Sequence, residues 1–252
     1  MLRVSDVTKR YGTSEKGYVA LSGIDLEIAD GEFVCLLGAS GCGKSTLLNI
    51  LAGFENTTAG SVTLHGEPIR RAGQERVMFF QDAGSALFPW LTVEENVAFG
   101  LRTRHMPRRE QQPIIATHLA MVNLTAHAAK FPSELSGGMR QRLQIARALV
   151  IDPEILLMDE PFAALDALTR RQMHHTLLDI WVKTKKTIVF VTHDIGEAIM
   201  MSDRIAVMSK GPRSKLREII PVTLSRPRDQ LASAFGNLYK KIESLIVHEV
   251  AE

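Results

Sequence analysis

Short apolar runs separated by turn residues occupy the first part of the chain. Alternating or continuous apolar positions over about four to eight residues are typical of β-strands. Turn-forming stretches at residues 29–31 and 65–68 separate some of these runs. The pattern predicts strands around these groups of positions: Leu2, Val4 and Val7; Leu26 and Ile28; residues 34–37; Val62 and Leu64; and residues 77–80.

The pattern changes between about residues 94 and 150, where the sequence is helical in character and contains no strand-like run. Prolines at positions 107, 113 and 132 mark expected breaks in this helical insertion. Strand-like runs return at residues 155–158, 187–191 and 204–208, with helical segments between them. Strands that alternate with helices predict a mainly parallel sheet covered by helices.

The end of the chain has the pattern of one amphipathic helix. Over residues 229–247 the apolar side chains fall on one helical face, and they are Leu231, Phe235, Leu238, Ile242 and Leu245. We expect this C-terminal helix to dock on the core.

Composition limits the possible classes of protein. A chain of 252 residues with 45% hydrophobic residues holds one large α/β domain or two small ones. A formal charge of +2 offers little attraction to nucleic acid, and two cysteines indicate a reducing compartment rather than a disulfide scaffold. No leader sequence is visible and no apolar run approaches the ~18 residues that span a bilayer. We therefore expect a cytoplasmic protein whose membrane role, if any, comes through partners.

A glycine-rich loop with the sequence GASGCGKST follows the apolar run 32–37 and precedes a predicted helix. It matches G-x-x-x-x-G-K-[ST], in which backbone N–H groups and a helix N-terminus surround a phosphate chain. Lys44 is expected to reach the outer phosphates and Ser45 to bind Mg²⁺. The alternative is a tight turn that binds nothing and leaves the lysine solvated. The predicted triphosphate site comprises Gly38, Ala39, Ser40, Gly41, Cys42, Gly43, Lys44, Ser45 and Thr46.

The two cysteines have different expected reactivities. Cys42 lies inside the loop, beside converging amides and Lys44, which favour a thiolate. We therefore expect Cys42 to react readily with a maleimide in the nucleotide-free protein. Cys35 lies on the preceding apolar strand and is expected to be buried and inert.

Two adjacent acids, Asp159 and Glu160, end the apolar run 155–158. The carboxyl ends of strands are where open α/β sheets place their ligands. Asp159 is expected to hold Mg²⁺, directly or through water, and Glu160 to act as general base toward an attacking water. The alternative is a strand that merely ends in two solvated acids.

A second anion site is predicted where Ser136, Gly137 and Gly138 precede the helical stretch 140–149. A hydroxyl, two unobstructed amides and a helix N-terminus are suited to phosphate oxygens. One nucleotide hardly needs two such sites on one chain. Two chains arranged head to tail would use them, each enclosing the other's triphosphate.

Taken together, these residues resemble the ATP-binding subunits of ABC transporters over nearly the whole chain. The resemblance implies an α/β fold, with a P-loop NTPase core of mainly parallel sheet, an N-terminal antiparallel β subdomain and a helical subdomain at about 94–150. It implies one ATP-binding domain over residues 1–252, with ATP and Mg²⁺ as cofactors.

The same resemblance implies roles for four further residues. Gln81 corresponds to a glutamine that acts in catalysis and binds the metal, and Asp166 corresponds to an acid near the nucleotide. His193, after the strand-like run 188–191, corresponds to a histidine that senses the γ-phosphate. Tyr11 matches the aromatic residue on which adenine stacks, with plain packing as the alternative.

Residues 87–101 and 225–229 are similar to bacterial importer subunits for nitrate, taurine and aliphatic sulfonates. This implies a homodimer that pairs with two transmembrane permease subunits and with a periplasmic or lipoprotein solute-binding protein. It also implies a peripheral location at the cytoplasmic face of the bacterial inner membrane and a small anion as the solute. Two departures from the family pattern are Met139 and a segment between Gln81 and Trp90 that is two residues longer.

Other functions are disfavoured by missing features. DNA-repair and chromosome ATPases share these motifs but interrupt them with long heptad segments. ABC factors of translation carry two such cassettes, and small-molecule P-loop kinases lack the motif at 135–139. The alternative to transport is an ABC ATPase that acts on nucleic acid or the ribosome. Under the favoured interpretation as a transport ATPase, no nucleic-acid partner is expected.

Overall fold

Two β-sheets and the helices around them make up the computed structural model, which describes residues 1–12, 17–80 and 86–247. The strands are β1 (Leu2–Tyr11), β2 (Tyr18–Ile28), β3 (Phe33–Leu37), β4 (Ala59–Leu64), β5 (Glu67–Pro68), β6 (Arg76–Phe79), β7 (Ile155–Asp159), β8 (Thr187–Thr192), β9 (Arg204–Met208) and β10 (Leu216–Pro221). The α-helices are α1 (Lys44–Ala52), α2 (Val93–Arg102), α3 (Arg108–Met121), α4 (Gly137–Leu149), α5 (Ala167–Thr184), α6 (Ile195–Met201) and α7 (Ser233–Val247).

The larger sheet has the strand order β10-β9-β3-β8-β7-β6. Its pairs are parallel except β9–β10, which confirms the predicted mainly parallel sheet. Parallel pairing brings the carboxyl ends of β3, β7 and β8 to one edge, where Leu37 pairs with Thr192 and Asp159 pairs with Val191. Every candidate residue that directly follows one of these strands is therefore delivered to the same edge.

The smaller sheet is antiparallel, with the order β2-β1-β4-β5. It confirms the predicted N-terminal antiparallel unit. The first part of β2 and the whole of β10 were not predicted, and the short β5 lies within the predicted turn at residues 65–68. The β1–β2 pairing shifts register at several points, which blurs the alternation of apolar and polar residues in this part of the sequence.

Successive side chains of β3 pack into two different apolar cores. Val34 and Leu36 face the antiparallel sheet and α1, whereas Phe33 and Leu37 face the helices on the other side. Because both faces are covered, all five residues of β3 are buried. The covered sheet holds its carboxyl edge rigid, and that edge carries the candidate site.

The helices α2, α3 and α4 lie within the interval predicted to be helical. Pro113 was expected to break a helix but lies inside α3. The buried side chains of Ile115 and Leu119 hold that helix on the core, so packing offsets the lost backbone hydrogen bond.

Helix α7 begins at Ser233, four residues later than the predicted stretch. Phe235 and Ile242 are buried against the core, as expected for a docked helix. Leu231 was predicted to share their face but precedes the helix and is almost fully exposed. Among the described residues, no helix is both long and apolar enough to cross a membrane.

Candidate active site

The glycine-rich loop connects the end of β3 at Leu37 to the start of α1 at Lys44. Gly43 has a φ of 89°, in the left-handed region where a Cβ is costly. A Cβ on Gly43 would also lie 2.8 Å from Leu21 Cδ2, and one on Gly38 would lie 2.8 Å from Cys42 Sγ. Gly43 is therefore required by its backbone conformation and by close packing, and Gly38 by close packing alone. The loop keeps a concavity lined by backbone.

Lys44 is buried, with 5% of its surface exposed. Its Nζ donates hydrogen bonds to the carbonyl oxygens of Gly38 at 2.8 Å and Ala39 at 2.9 Å. The ammonium group thus lies inside the curl of the loop, which contradicts the alternative of a solvated lysine.

Cys42 is also buried, with 1% of its surface exposed, and its side chain packs into the core beneath the loop. The expectation of a readily labelled thiol at Cys42 is therefore wrong. The residues around Cys42 favour reactivity, but the loop turns its side chain away from solvent. Cys35 is buried as expected, and burial raises the pKa of its thiol well above the ordinary value.

Asp159 is the last residue of β7, and its carboxylate accepts a hydrogen bond from the Ser45 hydroxyl. Burial raises the pKa of Asp159, while the Ser45 hydrogen bond opposes that shift. Asp159 is thus not a solvated acid. The pair offers a hydroxyl and a carboxylate oxygen side by side, and these hard donors fit Mg²⁺.

Glu160 follows Asp159 with a φ of 42°, an uncommon value for a residue that is not glycine. This backbone conformation ends the alternation of side chains between the two faces of the sheet. The Glu160 amide donates a hydrogen bond to the Val191 carbonyl at 3.1 Å. The Glu160 Oε2 lies 3.1 Å from Nδ1 of His193, which follows β8. The structure therefore brings together the predicted base and the predicted γ-phosphate sensor.

A cavity of about 410 Å³ brings together eight of the eighteen predicted site residues. Its lining comprises Tyr18, Ala20, Ser40, Gly41, Gly43, Lys44, Ser45, Thr46, Asp159 and Glu160. The sequence analysis missed Tyr18 and Ala20, which lie on β2. Tyr18 pairs with Tyr11 across the β1–β2 hairpin, so the register of that hairpin is the signal that finds it.

Tyr11 stands next to this cavity. Its hydroxyl donates to Glu55 Oε2 at 2.7 Å and lies 3.4 Å from the Thr46 hydroxyl. The ring is exposed, with the Lys9 ammonium 5.0 Å from its centre. The position suits an aromatic platform beside the loop, and it is a surface position rather than a core one.

Four of the predicted residues lie at helix starts outside the cavity of their own chain. Ser136 caps the N-terminus of α4 by accepting from the Met139 amide at 3.3 Å, and it is followed by Gly137 and Gly138. Asp166 caps α5, and hydrogen bonds from the Thr169 hydroxyl and then from the Thr169 and Leu168 amides lower the pKa of its carboxyl.

The cavity is not lined by any of these four residues, Ser136, Gly137, Gly138 and Asp166. Within one chain they therefore do not complete the nucleotide site. Gln81 lies outside the described residues. Its predicted roles therefore stay predictions.

Comparison with known proteins gives the family. Residues 21–163 match the family model described as ABC transporter. The chain belongs to the ABC transporter family. Among solved structures, it is similar to the dimeric post-hydrolysis state of the ATP-binding cassette MJ0796 bound to ADP and Pi. That match has 32% identity and a TM-score of 0.75, and covers 89% of this chain and all of that one.

Among curated relatives, it is 47% identical over 233 residues to the bicarbonate transport ATP-binding protein CmpC of Synechococcus elongatus. This alignment covers 92% of this chain and 35% of the relative, so the chain spans about a third of that protein. It is 42% identical over 240 residues to the nitrate import ATP-binding protein NrtD of the same organism, covering 94% of this chain and 87% of that one.

These matches confirm the predicted resemblance and the predicted fold class. At the level of the family they favour the predicted ABC-type ATPase over the alternative that acts on nucleic acid or the ribosome.

Proposed function

We propose that this ABC protein binds and hydrolyses ATP at the cavity beneath Tyr11 and Tyr18, and that hydrolysis drives solute import. One observation carries the proposal. The carboxylate of Glu160 borders the same cavity as Lys44 and Asp159, and it is also held by His193 at 3.1 Å. A phosphate cradle, a metal-binding acid and a general base thus meet at one place.

Binding of the triphosphate follows from the loop. The amides of residues 38–46 and the N-terminus of α1 face the phosphates, and Lys44 exchanges two neutral carbonyl acceptors for charged phosphate oxygens. The adenine stacks on Tyr11, with Tyr18 as a second aromatic wall. Ser45 and Asp159 hold Mg²⁺, together with Gln81, and the metal ion supplies charge neutralisation on the phosphate oxygens when bound.

Hydrolysis uses the acid at the end of β7. Glu160 accepts the proton of a water that attacks the γ-phosphorus, and the bond to the β-phosphate oxygen breaks to leave ADP and phosphate. His193 holds the Glu160 carboxylate through Nδ1 and directs its other ring nitrogen toward the γ-phosphate.

A second chain completes the site. The signature residues Ser136, Gly137 and Gly138 do not line the cavity of their own chain, and we propose that they close over the triphosphate of a partner copy, with Asp166 nearby. The similar cassette MJ0796 is a dimer, which supports this arrangement. Closure on ATP is then a population shift, because the nucleotide contacts both chains only in the closed state.

The permease partners have a candidate docking groove. A groove of about 410 Å³, lined by Phe79, Phe80, Phe99 and Arg104 among others, opens between the parallel sheet and the helical insertion. Phe80 is exposed and stacks on the exposed Phe54, with ring centres 6.4 Å apart. We propose that one permease subunit binds here on each chain of the dimer, so that the dimer pairs with two permease subunits. They hold the protein at the cytoplasmic face of the bacterial inner membrane and receive solute from a periplasmic or lipoprotein binding protein.

The solute class follows from the relatives. Proteins named for bicarbonate transport and for nitrate import are similar to this chain over more than nine-tenths of its length. We propose a small anion as the solute. Bicarbonate and nitrate are candidates from these relatives, and nitrate, taurine and an alkanesulfonate are candidates from the sequence resemblance.

Substitution Glu160→Gln tests the proposed site. The amide keeps the position of the carboxylate but accepts no proton, so MgATP binding should stay within about twofold of wild type while hydrolysis falls ~100-fold or more. Nucleotide titration and phosphate release measure the two quantities. The matched control is Glu154→Gln, an exposed acid at the other end of the same strand, which should hydrolyse normally. Wild-type hydrolysis by Glu160→Gln would overturn the assignment.

A further inference from the structure

A largely buried chain of hydrogen bonds connects helix α5 to the loop that carries His193. The Nε2 of His174, on α5, lies 2.6 Å from Oε1 of Glu197, on α6. The other Glu197 oxygen accepts a hydrogen bond from the Thr192 hydroxyl. The side chains of His174 and Glu197 are only 13% and 10% exposed, so water competes little for these contacts.

The same contacts hold the residues on both sides of His193. Thr192 precedes it, and the Thr192 hydroxyl oxygen also accepts from the Asp194 amide at 3.0 Å. Asp194 follows it and accepts from the Glu197 amide at 2.9 Å. The side chain of His193 is more than half exposed. The backbone of His193 is therefore positioned by its two neighbours. Thr192 is paired with Leu37 in the sheet, and both Thr192 and Asp194 also form hydrogen bonds with Glu197.

Helix α5 also holds a second loop. Arg170 lies one turn before His174, and its Nη2 donates to the Leu165 carbonyl at 2.9 Å and to the Ala163 carbonyl at 3.4 Å. Arg170 lines a small cavity of about 50 Å³ together with Glu160, His193 and Glu197. One face of α5 thus contacts both the segment that ends at Asp166 and the loop around His193.

We propose that His174 is a positioning residue for ATP hydrolysis. Its hydrogen bond fixes Glu197, Glu197 fixes Thr192, and the ordered loop keeps His193 beside Glu160. Through the same helix, a movement of residues 163–166 reaches the Glu160–His193 pair. The inference rests on the proposed roles of Glu160 and His193, and it adds a residue that lines neither the phosphate loop nor the nucleotide cavity.

Two variants of similar side-chain size separate positioning from packing. His174→Met fills the space beside Phe162 but donates no hydrogen bond, so we expect kcat for ATP to fall ~10-fold with KM within about twofold. His174→Gln retains an N–H donor for Glu197 and should stay within about threefold of wild-type kcat. His175→Ala, a change at the exposed neighbour on the same helix, is the matched control and should leave kcat and KM unchanged.

A double variant shows whether the effect passes through His193. If it does, adding His174→Met to His193→Ala should cause no further loss of phosphate release by the purified full chain. The proposal is overturned by a wild-type kcat in His174→Met, by equal losses in the Met and Gln variants, or by multiplicative losses in the double variant. Failure of both single variants to fold, seen by thermal unfolding, would make His174 structural and overturn it as well. Normal hydrolysis by Glu160→Gln would instead mean that the proposed function has failed.

Discussion

Lys44 holds a buried positive charge, and its ammonium group donates hydrogen bonds to neutral acceptors, the carbonyl oxygens of Gly38 and Ala39 and, at 3.9 Å, Cys42 Sγ. Burying a cation in this way leaves it less well compensated than it would be beside an anion. Phosphate oxygens at the same place form charge-assisted hydrogen bonds, which are shorter and stronger. The residue is therefore already in place for a ligand that carries negative charge.

Replacing Lys44 by methionine should remove this charge with little change in side-chain length. We expect ATP hydrolysis to fall by ~100-fold or more, since loss of one preorganised group that faces the transition state has an effect of that size. Phosphate release by the purified chain measures the rate, and the exposed Lys183→Met on α5 is the control for loss of a lysine charge. A wild-type rate in Lys44→Met would contradict the assigned role.

Helices α4 and α5 are in close contact at Gly138, at the start of α4. A Cβ on Gly138 would lie 2.6 Å from Cγ2 of Thr169, a β-branched side chain in the first turn of α5. At Gly137 the nearest atom to such a Cβ would be Leu165 Cδ2 at 3.6 Å, an ordinary contact. The second signature glycine therefore keeps two helix N-termini together, beyond any role in binding phosphate.

The variant Gly138→Ala should lower the stability of the nucleotide-free chain. Overpacking costs about 1–3 kcal/mol, which exceeds the ~0.5–1 kcal/mol that alanine gains over glycine within a helix. Thermal unfolding measures the difference, and Gly137→Ala should not be destabilised. Adding Thr169→Ser removes Cγ2 and should restore the stability of Gly138→Ala. If the serine change does not restore it, the clash is not the cause.

At the scale of the whole molecule, the two halves of the proposed ATP site lie on two separate surfaces of the described chain. The cavity lies at the carboxyl edge of the parallel sheet, whereas Ser136 lies at the start of α4 and outside that cavity. In a head-to-tail dimer, the cavity of each chain faces the Ser136 surface of the other, so the dimer contains two complete sites. Charge added at Ser136 should then act on dimer formation rather than on binding of ATP to the loop.

In a Glu160→Gln background, MgATP should accumulate a dimer that size-exclusion chromatography separates from the monomer. Adding Ser136→Glu places a carboxylate against the partner's γ-phosphate and should weaken the dimer ~100-fold or more. Binding of a fluorescent ATP analogue should persist. Ser133→Glu adds the same charge three residues earlier at an exposed position and is the control. An unchanged dimer in the Ser136→Glu variant would contradict the shared site.

The sequence alone determined the features that depend on neighbouring residues. Residue types at short spacing predict a phosphate loop at 38–46, an acid pair at 159–160 and a helix N-terminus at Ser136. These features can be found because turn preferences and side-chain periodicity depend on residues within a single helix, strand or loop. For the same reason the buried strands β3, β7, β8 and β9 were found from their apolar runs. Strand β10 was missed because only its pairing with β9 makes it a strand.

Only the tertiary structure decided the features that depend on distant residues. Cys42 turns into the core because the loop packs against β2, and Tyr18 borders the cavity because the register of the β1–β2 hairpin places it there. Glu160 meets His193, and His174 meets Glu197, because parallel pairing and helix packing bring together segments more than twenty residues apart. No local pattern encodes such contacts, since they follow from how the covered sheet and its helices pack as a whole.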